Sequence, residues 1–467
     1  MLGIARDAGH ELTSEATDAD VLVVNTCAFI DRAKQESIDA ILEMAQHKKN
    51  GNCSRLVVTG CLAERYREEL KEQIPEIDAV LGTGEVPQIL DAIGSGIRRP
   101  GSGIRSDETK PLRLFRSADF RDPVFPIPDS GSRIADPDLP AASVPTYIYD
   151  AETPRLLTTP KHYAYVKIAE GCDYTCAFCI IPTLRGHYRS RPAESIVREA
   201  RGLAARGVRE LLLISQDTTF YGIDRGERGA LGRLLRELNT IEGLDWIRLL
   251  YLYPTTITDD VLAAMAECKK VCRYVDLPLQ HASAAVLKRM RRPGNRRTYD
   301  ALLSRIRERV PGVALRTTLI VGFPGETEED FAELEQFVTE TRFDHVGVFT
   351  YSHEEGTRAF ALPDDVPAPV KRRRRNALMA KQKQIVSRLQ KARIGTDVDV
   401  LIDGPSPEHE LVLQGRLEGQ APDIDPVVFL TDCDTEAYSA GQLIRARIVE
   451  ANGYDLVAKP TVELVNR

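Results

Sequence analysis

Short apolar runs alternate with amphipathic stretches along most of the chain, and their periods differ in a way that separates strands from helices. Near the start, Val21-Leu-Val-Val-Asn-Thr-Cys27 and Arg55-Leu-Val-Val-Thr-Gly-Cys61 each predict a buried strand with a cysteine just past its end. A helix follows each, the first running to about Lys48, and Asp78-Ala-Val-Leu-Gly-Thr-Gly84 predicts a third strand. This alternation implies a small parallel sheet with helices on its faces. Ligands of such sheets bind beyond the carboxyl ends of the strands, where Cys27 and Cys61 fall. Both thiols are equally compatible with small core residues. Cys53 precedes its strand and reads as structural or surface.

From Tyr163 to Tyr351 the strand–helix alternation repeats six times. The predicted strand cores are Tyr163–Ile168, Glu210–Ile214, Ile247–Tyr253, Tyr274–Leu277, Ala314–Val321 and Val346–Tyr351. Between them, sets such as Ile196/Ala200/Leu203 and Leu231/Leu234/Leu235/Leu238 each share one helix face. Six units are two short of a closed eight-fold barrel, so an open partial (β/α)6 barrel is expected. Its chemistry belongs on the loops after the strands, among them Ser215-Gln-Asp-Thr-Thr, Pro278-Leu-Gln-His281 and Gly322-Phe-Pro-Gly-Glu326. His281 is a better site candidate than His187, with a core hydrogen-bonding role as its alternative.

After Gly395 the period shortens to 2, and five short strands between Val398 and Ala458 predict a small OB-like β-barrel. A helix opening with Lys371-Arg-Arg-Arg-Arg375 and ending near Arg393 precedes it. That basic run reads as a solvated helix face, with RNA contact as the second reading. Between Gly94 and Pro145 the composition turns to Gly, Pro, Ser and Asp and lacks periodicity, as a linker or insertion does. The expected organisation is therefore α/β: an N-terminal domain over 1–93, a partly disordered linker over 94–157, a barrel with its connecting helix over 158–392, and a β-barrel over 393–467.

Composition narrows the function classes. The formal charge of −7 leans away from generic nucleic-acid binding. From Arg393 onward fourteen acids face six bases, a charge of −8 that would repel phosphates and attract a basic protein. No apolar run is long enough to cross a bilayer, no signal-peptide core opens the chain, and nine cysteines point to a reducing compartment; the expected location is the cytoplasm.

The chemistry concentrates in Cys172-Asp-Tyr-Thr-Cys176-Ala-Phe-Cys179, just past the first barrel strand. A [4Fe–4S] cluster normally takes four thiolates. Three closely spaced thiols leave one iron open to a small molecule bearing its own nitrogen and oxygen, and S-adenosylmethionine (SAM) is such a molecule. Zinc would call for a fourth ligand, usually from a second CxxC pair, and none follows. Arg185, Arg189 and Arg191 come next and read as a solvated basic loop or as partners for a carboxylate.

The CxxxCxxC spacing, with Phe178 directly before the last cysteine, resembles the radical-SAM signature. Asn-Thr-Cys27, Thr-Gly-Cys61, the partial barrel and the C-terminal TRAM-like barrel together resemble the radical-SAM methylthiotransferases over nearly all of the chain outside 94–145. Glu170-Gly-Cys-Asp-Tyr-Thr-Cys-Ala-Phe-Cys-Ile-Ile-Pro-Thr-Leu-Arg-Gly, Ile214-Ser-Gln-Asp-Thr-Thr-Phe-Tyr-Gly and Val275-Asp-Leu-Pro-Leu-Gln-His-Ala-Ser are similar to the branch that modifies a ribosomal protein (RimO type). The resemblance implies that Cys172, Cys176 and Cys179 hold a cluster whose open iron chelates SAM. It also implies that Phe178, Ser215, Gln216, Asp217, Gly322 and Glu326 lie in regions that cradle SAM, and it leaves catalytic residues other than cluster ligands unassigned. A 5′-deoxyadenosyl radical would remove hydrogen from the β-carbon of an aspartate in a basic small-subunit ribosomal protein. A second [4Fe–4S] cluster on N-terminal cysteines would supply sulfur, and a second SAM the methyl group; the electron donor and sulfur source are unspecified. In the family that second cluster uses three cysteines, and only Cys27 and Cys61 match here, as expected of a truncated N-terminus; two thiolates hold a cube less securely than three. Two other functions fit the same chain less fully: a tRNA adenosine methylthiotransferase, and a non-catalytic ribosome-assembly protein with a vestigial cluster.

Overall fold

A computed structural model describes residues 1–94, 113–114, 145–407 and 412–461. The chain divides into two compact units: residues 1–156, 171–187 and 352–360 form the first, and 157–170, 188–351 and 361–467 the second. The cysteine loop therefore packs with the N-terminal segment, although its sequence is flanked on both sides by barrel strands. Most of the stretch read as a linker over 94–157 lies outside the described residues.

In the first unit, strands β1 (Val21–Thr26), β2 (Arg55–Gly60), β3 (Ala79–Leu81) and β4 (Arg113–Leu114) make a parallel sheet in the order β3-β2-β1-β4. Alternate residues serve its two faces, the period-2 geometry of a strand. Leu22, Val24, Leu56, Val58 and Val80 pack on one side with Ile41 and Met44 of helix Asp31–Asn50, while Val23, Val57 and Leu81 pack on the other with Ile89 and Ile93. β1 and β2 pair through Thr26↔Gly60, so Cys27 and Cys61 follow neighbouring strand ends.

The second unit begins with β5 (Tyr163–Lys167), β6 (Ala169–Glu170), β7 (Arg189–Ser190), β8 (Glu210–Ile214) and β9 (Trp246–Leu249). β10 (Tyr274–Asp276), β11 (Ala314–Val321) and β12 (His345–Thr350) follow. β5-β8-β9 and β10-β11-β12 are parallel three-stranded sheets, joined by a bridge between Ile247 and Val271. Among the described residues no pairing joins β12 back to β5, so the six parallel strands form the expected open barrel. Aliphatic residues on the outer face, including Val166, Leu211, Leu213, Val275 and Leu319, meet helices such as Ala193–Ala205, Ala230–Asn239 and Glu328–Thr341 in one large core. The inner face carries Tyr163, Leu212, Leu250, Tyr274 and Ala314.

Five further strands close the expected C-terminal barrel in the order β13-β14-β15-β17-β16: Asp397–Pro405, Leu413–Arg416, Val428–Leu430, Leu443–Asn452 and Asp455–Pro460 for β13 to β17. The connection after β14 runs against the N-terminal ends of the large barrel's strands. Glu418 accepts from Arg248 (2.7 Å), Gly419 from His345 (2.7 Å), and Asp425 from the Tyr274 hydroxyl (2.6 Å). Beneath them Arg416 joins Glu210 (2.7 Å) and Asp403 (2.9 Å), both arginines being sealed from solvent. The floor of the large barrel is thereby closed by the small one, and its open end is the carboxyl end of the strands.

Candidate functional site

The cysteine loop is tied at its neck. Gly171 sits at φ +89°, where a Cβ would fall 2.1 Å from the His187 carbonyl oxygen, and the Cys172 N–H donates to Gly186 O at 3.0 Å. Within the loop the Cys179 N–H donates to Cys176 O (3.1 Å), and the Ala359 N–H donates to Ala177 O (2.7 Å). Ala177 and Ile180 are buried, whereas Cys172, Cys176, Cys179 and Phe178 stay half-buried. Three thiols at the surface of one anchored loop suit a cluster with one open iron better than they suit a core. Among the described residues no three His, Cys, Asp or Glu side chains converge as on a single ion. Each thiolate of a cube takes a different iron, so its ligands stand farther apart than those of one ion.

The two N-terminal thiols differ. Cys27 is exposed, its backbone held on both sides by the Ser37 hydroxyl at 3.0 Å. Cys61 is buried at the start of helix Cys61–Arg65, and Arg185 of the cysteine loop donates to its sulfur at 3.4 Å. A guanidinium beside a thiol favours the thiolate that a metal needs. Gly60 makes the approach possible: at φ +99°, a Cβ there would sit 2.4 Å from Thr26 O. Cys53 is buried, its thiol raised by that burial, as suits a structural residue.

A residue absent from the sequence expectations organises this end of the sheet. Glu354 is buried, and its carboxylate takes Lys34 (2.9 Å), Arg65 (3.6 Å) and the Asp31 N–H (2.6 Å), fixing the helix that follows Cys27. Its partners lie about 290 to 320 residues away along the chain, so no local pattern marks it.

In the second unit the predicted loop residues play unequal parts. Asp217 is buried and caps the turn after β8, accepting from the Thr219 N–H (2.9 Å), the Phe220 N–H (3.2 Å) and the Thr256 hydroxyl (3.1 Å). Ser215 is buried beside it, and Gln216 is half-buried, donating to Glu170 at 3.0 Å. Glu326 folds its own loop: its carboxylate accepts from the Gly322 and Phe323 N–H groups and pairs with Arg374 at 3.1 Å. Burial lifts this carboxyl to about 7, against the pull of Arg374. Gly322, at φ +75°, leaves room for the Lys371 side chain, which a Cβ would strike at 2.2 Å.

Two sequence expectations are corrected here. The basic run at 371–375 is a solvated face only in part, with Arg372, Arg373 and Arg375 exposed. Lys371 and Arg374 are buried, Lys371 on Asp364 (2.6 Å) and Arg374 on Glu326 and Glu328, and Arg375 donates to Val348 O (3.2 Å). Arg191, read as part of a solvated loop, is sealed against Glu199 (2.7 Å) and Ser195 (3.0 Å). Of the two histidines, His281 is completely buried with its Nδ1 accepting from the Ser283 N–H (3.0 Å), and burial pulls it down to about 3, so it is neutral. His187 is exposed beside Asp173 (2.9 Å).

Three domain families match the chain: an uncharacterised protein family (UPF0004) over residues 1–82, the radical SAM superfamily over 166–338, and the TRAM domain over 394–460. The ribosomal protein uS12 methylthiotransferase RimO of Koribacter versatilis is 48% identical over 98% of this chain and 92% of its own length. The protein of the same name from Myxococcus xanthus is 47% identical over 98% of this chain and 87% of its own, and that of Geobacter sulfurreducens 44% over 98% and 94%. The chain belongs to the RimO family of radical-SAM methylthiotransferases. Membership in the RimO family brings an iron–sulfur cluster and SAM with it, and makes the chain an enzyme that transfers a methylthio group. Among solved structures, the radical-SAM methyltransferase TsrM from Kitasatospora setae superimposes with a TM-score of 0.42 at 15% identity, over 71% of this chain and 73% of its own. Among the described residues no helix is long and apolar enough to cross a membrane.

Proposed function

We propose that this chain adds a methylthio group to the β-carbon of an aspartate in ribosomal protein uS12, with Cys172, Cys176 and Cys179 as the cluster ligands. The observation that carries the reading is the anchored loop with three half-buried thiols, in a chain nearly half identical to the RimO proteins along its whole length. The bound cluster and SAM would supply the radical chemistry; the protein contributes binding, orientation and shielding. Gly171 and the Cys172–Gly186 hydrogen bond hold the ligand loop in shape. Phe178, Ser215, Gln216 and Gly322 match regions that cradle SAM in the superfamily. Asp217 and Glu326 act one step back, each spending its carboxylate on the backbone of its own loop. Cys27 and Cys61 are the proposed thiolates of the second cluster, with Arg185 stabilising Cys61 as the anion.

A basic partner suits the C-terminal barrel, although less strongly than its formal charge implies. Asp403 is spent on Arg416 and His162 and Asp425 on Arg316, while Asp432, Asp434 and Glu436 remain exposed on one connection. The test is intact-mass analysis of uS12 from cells with and without the gene. A methylthio increment lost on deletion and restored by the gene, but not by its Cys176→Ala variant, is the expected result. An unchanged uS12 mass, with altered tRNA nucleosides instead, would overturn the assignment.

A further inference from the structure

Along β5, Tyr163 and Tyr165 face the barrel interior while Ala164 and Val166 face the helices, so alternation directs Lys167 inward at the carboxyl end. The lower interior is filled by ion pairs: Arg248 and Arg416 share Glu210, and Arg316 lies between Asp276 (3.2 Å) and Asp425 (3.3 Å). The upper interior is different. Thr318 and Ile214 are half-buried there, Phe349 is 55% exposed, and a Cβ on the neighbouring Gly347 would point at Phe349 and Thr318. Tyr251, at φ +58°, is 47% exposed, and its phenol lies in the fields of Asp276 and Arg316. A tyrosine in the left-handed region costs on the order of 1–3 kcal/mol, a strain that concentrates at functional sites. Lys167 is the most accessible of these inward cations, its side chain 26% exposed; it pairs with Glu170, which Gln216 also holds.

We propose that Lys167 is the residue that recognises the acidic side chain to be modified, with Tyr251 and Phe349 flanking the peptide that carries it. The inference rests on the aspartate reading above and deepens it. An ammonium has three donors on a flexible stem, so it can hold Glu170 and a second carboxylate together. Glu170 in turn keeps the Gln216 amide as a donor, so Lys167 can lean toward substrate without leaving a buried acid bare. The chamber would then favour aspartate over asparagine by charge at Lys167, which among the described inward cations is more exposed than Arg316.

The experiment uses the full-length, anaerobically reconstituted protein without reductant. Binding of two labelled uS12 peptides is measured by fluorescence anisotropy, one with the target aspartate and one with asparagine in its place. The parent should prefer the aspartate peptide by about tenfold, the scale of one charge-assisted hydrogen bond. Lys167→Met should remove that preference while leaving asparagine-peptide and SAM binding unchanged, and Lys167→Arg should keep most of it. Undiminished preference in Lys167→Met overturns the assignment, as does a parent that modifies uS12 yet binds the two peptides alike. A parent that does not modify uS12 at all overturns the underlying reading and the Lys167 role with it. Loss of SAM binding in Lys167→Met would mark the lysine as structural and also overturn the proposal.

Discussion

Glu354 shows how much one buried carboxylate can organise. It neutralises Lys34 and Arg65 and caps the helix after Cys27, so removing its charge leaves the Arg65 guanidinium without this carboxylate and Lys34 with Asp31 alone. Glu354→Gln should therefore destabilise the first unit by about 3 kcal/mol, the usual cost of breaking a buried pair from one side. Urea unfolding, followed with far-UV circular dichroism, would show it as a shift in midpoint. Glu326 makes a different prediction, one of pH. Its folded value of about 7 lies above the unfolded value near 4.5, so the native state binds the extra proton between them. The stability that proton contributes is full below about pH 4.5 and is lost as pH rises through about 7. Relative to Glu326→Gln, the parent should lose on the order of 2–3 kcal/mol across that window. Parallel thermal melts at pH 5 and pH 8 would read the difference, and equal pH dependence in both proteins would contradict it.

At the scale of elements, the ends of β1 and β2 and the neck of the cysteine loop depend on backbones that approach too closely for side chains. Gly60 and Gly171 both combine a positive φ with a carbonyl oxygen inside 2.5 Å of where a Cβ would be. Gly60→Ala should spread the ends that carry Cys27 and Cys61, lowering stability by roughly 1–3 kcal/mol. If those thiols hold the second cluster, iron and sulfide bound by that variant should fall by up to half, while the share held by Cys172, Cys176 and Cys179 survives. The helix Ala368–Lys391 has an unexpected part among the elements: its basic run reaches inward to the loop after β11. Lys371 and Arg374 thus couple this connecting helix to the Gly322–Glu326 turn.

For the whole molecule, the decisive feature is the junction between the large and small barrels inside the second unit. Arg416 binds both Glu210 of β8 and Asp403 of β13, and Asp425 gathers Tyr274, Arg316 and His345. The small barrel is in this respect a floor for the large one, and the two should unfold together. Arg416→Met should cost about 3–5 kcal/mol by stranding two buried acids, and should split the single unfolding transition of this unit into two. A calorimetric scan that stayed a single transition at an unchanged temperature would refute the coupling. This junction also consumes Asp403 and Asp425, two of the fourteen acids that the C-terminal composition displays.

Local patterns settled what each segment would become. Period-2 runs in Leu443–Asn452 and Asp455–Pro460, unbroken apolar runs in Val21–Val24 and Leu211–Leu213, and the 3.6-residue stripe of Leu231, Leu234, Leu235 and Leu238 all reflect burial on definite faces. The CxxxCxxC spacing was legible for a similar reason, since ligands within one short loop are neighbours in sequence and in space. What remained out of reach was pairing between residues far apart in the chain. A lysine or arginine reads as solvated until its partner is known, and the partners of Lys34, Arg374 and Arg416 are supplied by distant elements. Sequence determined the strands, the helices and the three-thiol loop because their physics is local. Only the tertiary structure decided which charges are buried, because a buried charge exists only where a distant opposite charge meets it.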